Sequence, residues 1–179
     1  MTTTAKHYSQ GRQGHAIQVI VLHSAENQEL PGQAAHLAQW MAGSTAPQAS
    51  AHEMVDNLHV VQSVDDKDTA WATDDWNINL CSKSYELTGH AANTAAQWND
   101  SYEKGVIAHA QAAIKLDLKN YNIPAIHLTD AQILAIHNGN KVLKGICTHA
   151  DISRALSISG GHVDPGVNFP LAAFISGLK

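Results

Sequence analysis

Charge is scarce in this chain. Charged residues make up 15% of the 179, against roughly 25% in ordinary globular proteins. Lys and Arg together number only 11, and the formal net charge is -5. No segment gathers the cations into a basic stripe. That argues against nucleic acid as the main partner, because phosphate binding needs clustered Lys and Arg, and it leaves no polybasic signal for membranes. Long apolar runs are missing too. The longest lies around Ile20 to Leu22, far short of the roughly 20 residues that cross a bilayer, so no membrane insertion is expected. The N-terminal MTTTAKHYSQGRQGH lacks the apolar segment of a signal peptide. Two cysteines, Cys81 and Cys147, make no disulfide framework and read as free buried thiols, with a single disulfide as the alternative.

What remains is a globular composition, 44% apolar, in a length that suits one domain with a sizeable core. No repeat, linker or low-complexity tract divides it. The expectation is a single domain over residues 1–179, with 1–14 as a polar N-terminal arm and no separate wall-binding domain. HAIQVIVLH, residues 15–23, reads as a buried strand. Residues 32–43 place Ala34, Leu37, Trp40 and Met41 on one helical face. Residues 51–64 look like a hairpin turning at Asp56-Asn57, and residues 80–87 like another strand. A capping box of Thr94 with Gln97 predicts a long helix from about Thr94, ending before Asn122-Ile123-Pro124. Thr129 with Gln132 opens a second helix that ends near Gly139. Residues 145–149 read as a short strand and 169–178 as a last helix. Strands and helices mixed along one chain predict an α/β fold with a central sheet.

Histidine is unusually common: twelve, against eleven Lys plus Arg. Two of them close apolar strands, His23 in VIVLH and His149 in ICTH. Strand ends in α/β sheets commonly present functional side chains at one edge. Asp164 follows His149 by fifteen residues in THADISRALSISGGHVDPG, in a loop held by Pro165 and Gly166. Two imidazoles and a carboxylate suit Zn²⁺ and leave a fourth position for water. Spacing alone leaves open the plainer alternative of structural histidines in a polar loop. Asp151 reads as a helix cap for ISRAL, the alternative being an acceptor behind the metal.

Four segments, in order, resemble the type 2 family of zinc-dependent N-acetylmuramoyl-L-alanine amidases. The family shares its fold with phage amidase-type lysozymes and peptidoglycan recognition proteins. The segments are VIVLHSAE, SAHEMVD, Ala70-Trp71 with Asn79, Ser82, Glu86, Leu87 and Gly89, and THAD followed by DPG. The wording GICTHADISRA and HVDPG is most similar to lysins of phages infecting actinobacteria. The resemblance implies a central mixed β-sheet flanked by helices. It implies His23, His149 and Asp164 as ligands of Zn²⁺ and Glu86 as the catalytic carboxylate. His162 falls where many members carry a catalytic lysine. Asn79, Trp71 and His52 are implied as substrate contacts. The chain departs from the pattern at Ala51 and Ala72, where members often have tyrosine and histidine. The implied activity is cleavage of the amide between N-acetylmuramic acid and L-alanine in bacterial peptidoglycan. An endolysin made in the host cytoplasm, released through a holin and acting as a monomer is the expected setting. The alternatives are a non-catalytic peptidoglycan-binding module and a cytosolic amidase that recycles muropeptides.

Overall fold

The segment VIVLHS is buried along its whole length, and the rest of the chain is arranged around it. The computed structural model describes residues 3–158 and 160–179. In it VIVLHS is strand β2 (Val19–Ser24), preceded by β1 (Tyr8–Ser9). There follow α1 (Gln33–Ala42), β3 (Glu53–Val55), β4 (Val60–Gln62), β5 (Thr69–Ala70), α2 (Trp76–Cys81) and β6 (Ser82–Leu87). A one-turn 3-10 segment (Gln97–Asn99), α3 (Ser101–Asn120), α4 (Asp130–His137), β7 (Gly145–Thr148), α5 (His149–Ala155) and α6 (Leu171–Ser176) complete the order.

Among the described residues β4-β3-β6-β2-β7 form a five-stranded sheet, and β1 pairs with β5 apart from it. β3, β6, β2 and β7 are parallel, and β4 runs antiparallel to β3. This is the expected mixed sheet. Parallel strands need cover on both faces, and alternate side chains supply two apolar surfaces. Ile20, Leu22, Tyr85 and Leu87 meet α3 and α6 through Val106, Ile114 and Phe174. Val19, Val21 and Cys147 meet Ile78, Ile133 and Ile152 of α2, α4 and α5. A third cluster joins Leu37 and Met41 of α1 to Met54 and Val61.

Several expectations shift. Trp40 is 49% exposed, whereas Ala34, Leu37, Ala38 and Met41 are buried. At ~100° per residue those four define a stripe whose centre lies roughly 110° from Trp40, so the indole falls on the flank of the helix. The expected strand over 80–87 starts at Ser82, because Leu80 and Cys81 finish α2, whose N-cap Asp75 accepts from Ile78 N. The Thr94–Gln97 capping box forms but opens only the 3-10 turn. The long helix begins at Ser101 under an Asp100 cap. The last helix is shorter than expected, covering Leu171–Ser176. The thiols of Cys81 and Cys147 are free and buried.

The N-terminal arm is knitted into the body. β1 pairs with β5, and the buried Arg12 guanidinium donates to the carbonyls of Leu80 (3.1 Å) and Ser82 (2.8 Å) on either side of the α2–β6 junction. β6 is held again by Lys83, whose Nζ meets Glu53 (3.2 Å), Asp66 (2.9 Å) and Asp117 (3.0 Å). A buried charge needs such partners. Here they fix the strand that carries Glu86.

Candidate active site

The parallel strands bring their carboxyl ends to one edge, the usual place for a site in an α/β sheet. His23 stands near the end of β2. Glu86 is its register partner on β6, so both side chains leave the same face. β7 ends at Thr148, and His149 is the first residue of α5 rather than the last of a strand. The sharp change of direction comes from a capping box: Thr148 Oγ1 accepts from Asp151 N, and Asp151 accepts from Thr148 N. Asp151 also takes hydrogen bonds from His127 and Arg154, so its carboxylate is spent on the helix start, but as the third residue of a helix capped by Thr148 and not as the cap of ISRAL.

Asp164 arrives by a separate route. The first turn of α5 has free N–H groups, and Ala150 N donates to the Asp164 carbonyl at 3.0 Å. One helix turn on, Ser153 Oγ accepts from His162 N at 3.0 Å. Gly166 has φ +98°, and a Cβ there would overlap the Ala91 carbonyl. Glycine is therefore required for the loop to lie this close to the 88–94 segment.

These supports converge three side chains. His23 Nδ1 is 3.1 Å from Asp164 Oδ2, and His149 Nδ1 is 3.3 Å from Asp164 Oδ1. The two imidazoles meet edge to face with centroids 4.8 Å apart. Ligand atoms of all three residues lie within 4.8 Å of one another. A tetrahedral ion with bonds of about 2.0–2.2 Å separates its ligands by about 3.3 Å, so the cluster fits a zinc-sized cation. The opposite ring atoms, His23 Nε2 and His149 Nε2, are buried with no partner among the described residues. One further observation agrees. Burial lowers the pKa of His23 despite its hydrogen bond to Asp164, which favours the neutral ring that metals bind. Burial alone would raise the Asp164 carboxyl. The hydrogen bonds from His149 and His23 outweigh it and hold the group well below the usual carboxylate range, as an anion.

Glu86 is half-buried, with protein around its carboxyl and an opening toward the cleft. Burial first, then the charges of Asp164 and Glu26, pushes its pKa up to about 8. His162 stacks on His149 with ring centroids 4.0 Å apart. Its Nδ1 is 3.3 Å from Asp164 Oδ1 and its Nε2 3.5 Å from Asp74 Oδ2. His23, His149, Asp164, Glu86 and His162 thus share one cleft of about 290 Å³.

The expected substrate contacts divide. Trp71 lines the cleft, its indole Nε1 donating to Ser9 Oγ at 2.9 Å. Asn79 does not line it. It is buried, its Oδ1 accepts from Thr73 N (2.9 Å) and Thr73 Oγ1 (2.9 Å), and its Nδ2 donates to Thr73 O (2.8 Å). Every strong bond of the amide goes to the 72–75 turn, so it shapes the cleft wall from behind. His52 is fully buried, accepts from Arg12 Nη2 at 2.7 Å and meets Ser84 Oγ at 3.0 Å. Burial, then the Arg12 charge, drops its pKa to about 3. It is a neutral structural ring. Sequence reasoning overlooked Glu26, Asp74 and Trp40, all of which line the cleft. For Glu26 the signal was its place in the quoted VIVLHSAE.

No curated protein matches the chain. Solved structures share its fold. The Staphylococcus aureus hydrolase AmiA in complex with its ligand covers 99% of this chain and 80% of its own at 16% identity, TM-score 0.65. A mutant endolysin from Bacillus subtilis matches over 99% and 92% at 16% identity, TM-score 0.60. The N-acetylmuramoyl-L-alanine amidase LysC from Clostridium intestinale matches over 98% and 92% at 14% identity, TM-score 0.58. At such identities the likeness is one of fold. The family model for N-acetylmuramoyl-L-alanine amidase matches residues 13–167. That span takes in every strand and loop that supplies His23, Glu86, His149 and Asp164, and the chain belongs to the N-acetylmuramoyl-L-alanine amidase family.

Proposed function

We propose that the protein is a zinc-dependent peptidoglycan hydrolase that cleaves the amide between the lactyl group of N-acetylmuramic acid and L-alanine. The observation that carries this reading is the convergence of His23, His149 and Asp164 beside the Glu86 carboxyl in one cleft. Zn²⁺ held by those three residues would polarise the scissile carbonyl and bring the pKa of a water to about 7.

The protein's own groups move the protons. Glu86 accepts a proton from the attacking water at a carboxylate oxygen and returns it to the leaving amine nitrogen. His162, at the rim, donates a ring N–H to the oxygen on which negative charge develops. Asp164 lies 3.3 Å from its Nδ1 and steadies the ring, so the Nε2 side, 3.5 Å from Asp74 Oδ2, is the one that turns to substrate. Asp164 keeps its negative charge against the imidazoles.

The setting we propose is that of a phage endolysin, supported by the resemblance of GICTHADISRA and HVDPG to lysins of phages infecting actinobacteria. The test is to incubate the protein with isolated walls and analyse the products. The expected result is new N-terminal alanine with no new reducing sugar. Released sugar ends without free alanine, or binding without products, would remove the amidase assignment.

A further inference from the structure

The cleft is lined by two chemically different sets of side chains, and only one of them is reactive. The other is apolar: Leu37, Trp40 and Met41 of α1, with Ala49, Trp71 and Ala72. Trp40 is exposed to 49% on a helix whose core stripe is already complete without it. An indole in water presents a large apolar face on which a ligand ring can stack. Trp71 differs, because its Nε1 is bound to Ser9 and its backbone N–H to Ser50 Oγ. It forms a fixed wall, whereas Trp40 offers a free face.

Charge limits what can lie there. No lysine or arginine lines the cleft among the described residues, and its flanks carry Glu26 and Asp74. A peptide with free carboxylates would meet repulsion on this wall and no cationic side chain among the described residues. An uncharged pyranose, with C–H groups on one face and hydroxyl and acetamido groups at its edge, meets an indole and an apolar shelf. Gln48, also on this wall, supplies an amide for the edge.

We propose that Trp40 is the platform for a pyranose ring of the glycan strand, so that the enzyme grips sugar at the α1 end while the amide lies beside Glu86. The inference rests on the peptidoglycan reading of the site. Trp40 is a specificity-determining contact and takes no part in the proton transfers.

The experiment is isothermal titration of the zinc-loaded protein with a soluble N-acetylglucosamine oligomer, which has no lactyl amide and is not turned over. A stem peptide without sugar is the second probe. Trp40→Ala should weaken oligomer binding by about three- to tenfold, the size of one aromatic contact. Trp40→Phe should keep most of it, and peptide binding should not change. Absent oligomer binding in the unmodified protein, oligomer binding unaffected by Trp40→Ala, or equal loss for the peptide would each overturn the proposal. Amide hydrolysis of walls, measured alongside, separates the two claims. Oligomer binding that needs Trp40 without hydrolysis would sink the amidase reading alone. Hydrolysis with sugar binding indifferent to Trp40 would sink only the platform.

Discussion

His23 and Glu86 occupy the same register position on adjacent parallel strands, β2 and β6. Their side chains therefore leave the sheet on one face, side by side, with Asp164 close enough to His23 for a 3.1 Å contact. Side chains held on neighbouring strands need no loop movement to meet, and rigid placement of this kind favours catalysis. In the proposed function Glu86 serves the proton transfers and stands outside the metal cluster. Glu86→Ala should keep its metal and lower kcat by about 10²- to 10⁴-fold. Elemental analysis of the purified variant, beside its turnover number, checks both halves of that statement.

The start of α5 sets the position of His149. Asp151 closes the capping box with Thr148 and receives His127 and Arg154. Asp151→Ala should cost about 1–3 kcal/mol in stability, read as a lower urea midpoint. Because His149 is the first residue of that helix, zinc should also bind more weakly.

Asn79 separates a structural role from a substrate contact. Its amide is committed to Thr73. Asn79→Ala should lower the melting temperature, with a loss of about 1–3 kcal/mol from the orphaned turn groups. An unchanged melting temperature with a raised KM would mean that the side chain meets substrate after all.

Glu103 gives the stability a pH dependence. It is fully buried at the start of α3, with Asn93 donating to it at 3.2 Å and to Glu29 at 2.8 Å. Burial first, and Glu29 beside it, push its pKa up to about 9 from an ordinary 4.5. Between those values the folded chain keeps a proton that the unfolded chain has lost, so stability falls as pH rises through the window and levels off above it. Glu103→Gln should remove this slope. Urea midpoints at intervals from about pH 5 to about pH 9 should show the variant gaining on the parent as pH rises, and parallel curves would contradict the assignment.

Much of the site was legible because the chemistry sits at element ends. VIVLH announces a buried strand by its β-branched run, and His23 lies where β2 leaves the core. His149 and Asp164 share one segment with a cap and a glycine, of which the first opens α5 and the second lets the loop lie against Ala91. What escaped were features set by tertiary contacts. α2 is a short helix whose Ile78, Leu80 and Cys81 run into β6 without a change of hydrophobicity, and only the Asp75 cap marks its start. Thr94 and Gln97 make a real capping box, but Asp100 makes a second cap soon after it, and the chain uses that one for the long helix. Trp40 carries an apolar side chain at near-helical spacing from Leu37, and only the completed stripe shows that the core has no room for it. His52 and Asn79 carry polar groups that suit a substrate as well as they suit Arg12 and Thr73, so residue type could not choose between those partners.

The central claim is that His23, His149 and Asp164 hold a zinc ion on which hydrolysis depends. The most direct measurement is metal content by elemental analysis, coupled to wall hydrolysis before and after chelation. One zinc per chain is expected, with activity lost to chelator and restored by Zn²⁺, and a His23→Ala variant that is folded but loses the metal and the activity together. Full hydrolysis by chelated, zinc-free protein would contradict it.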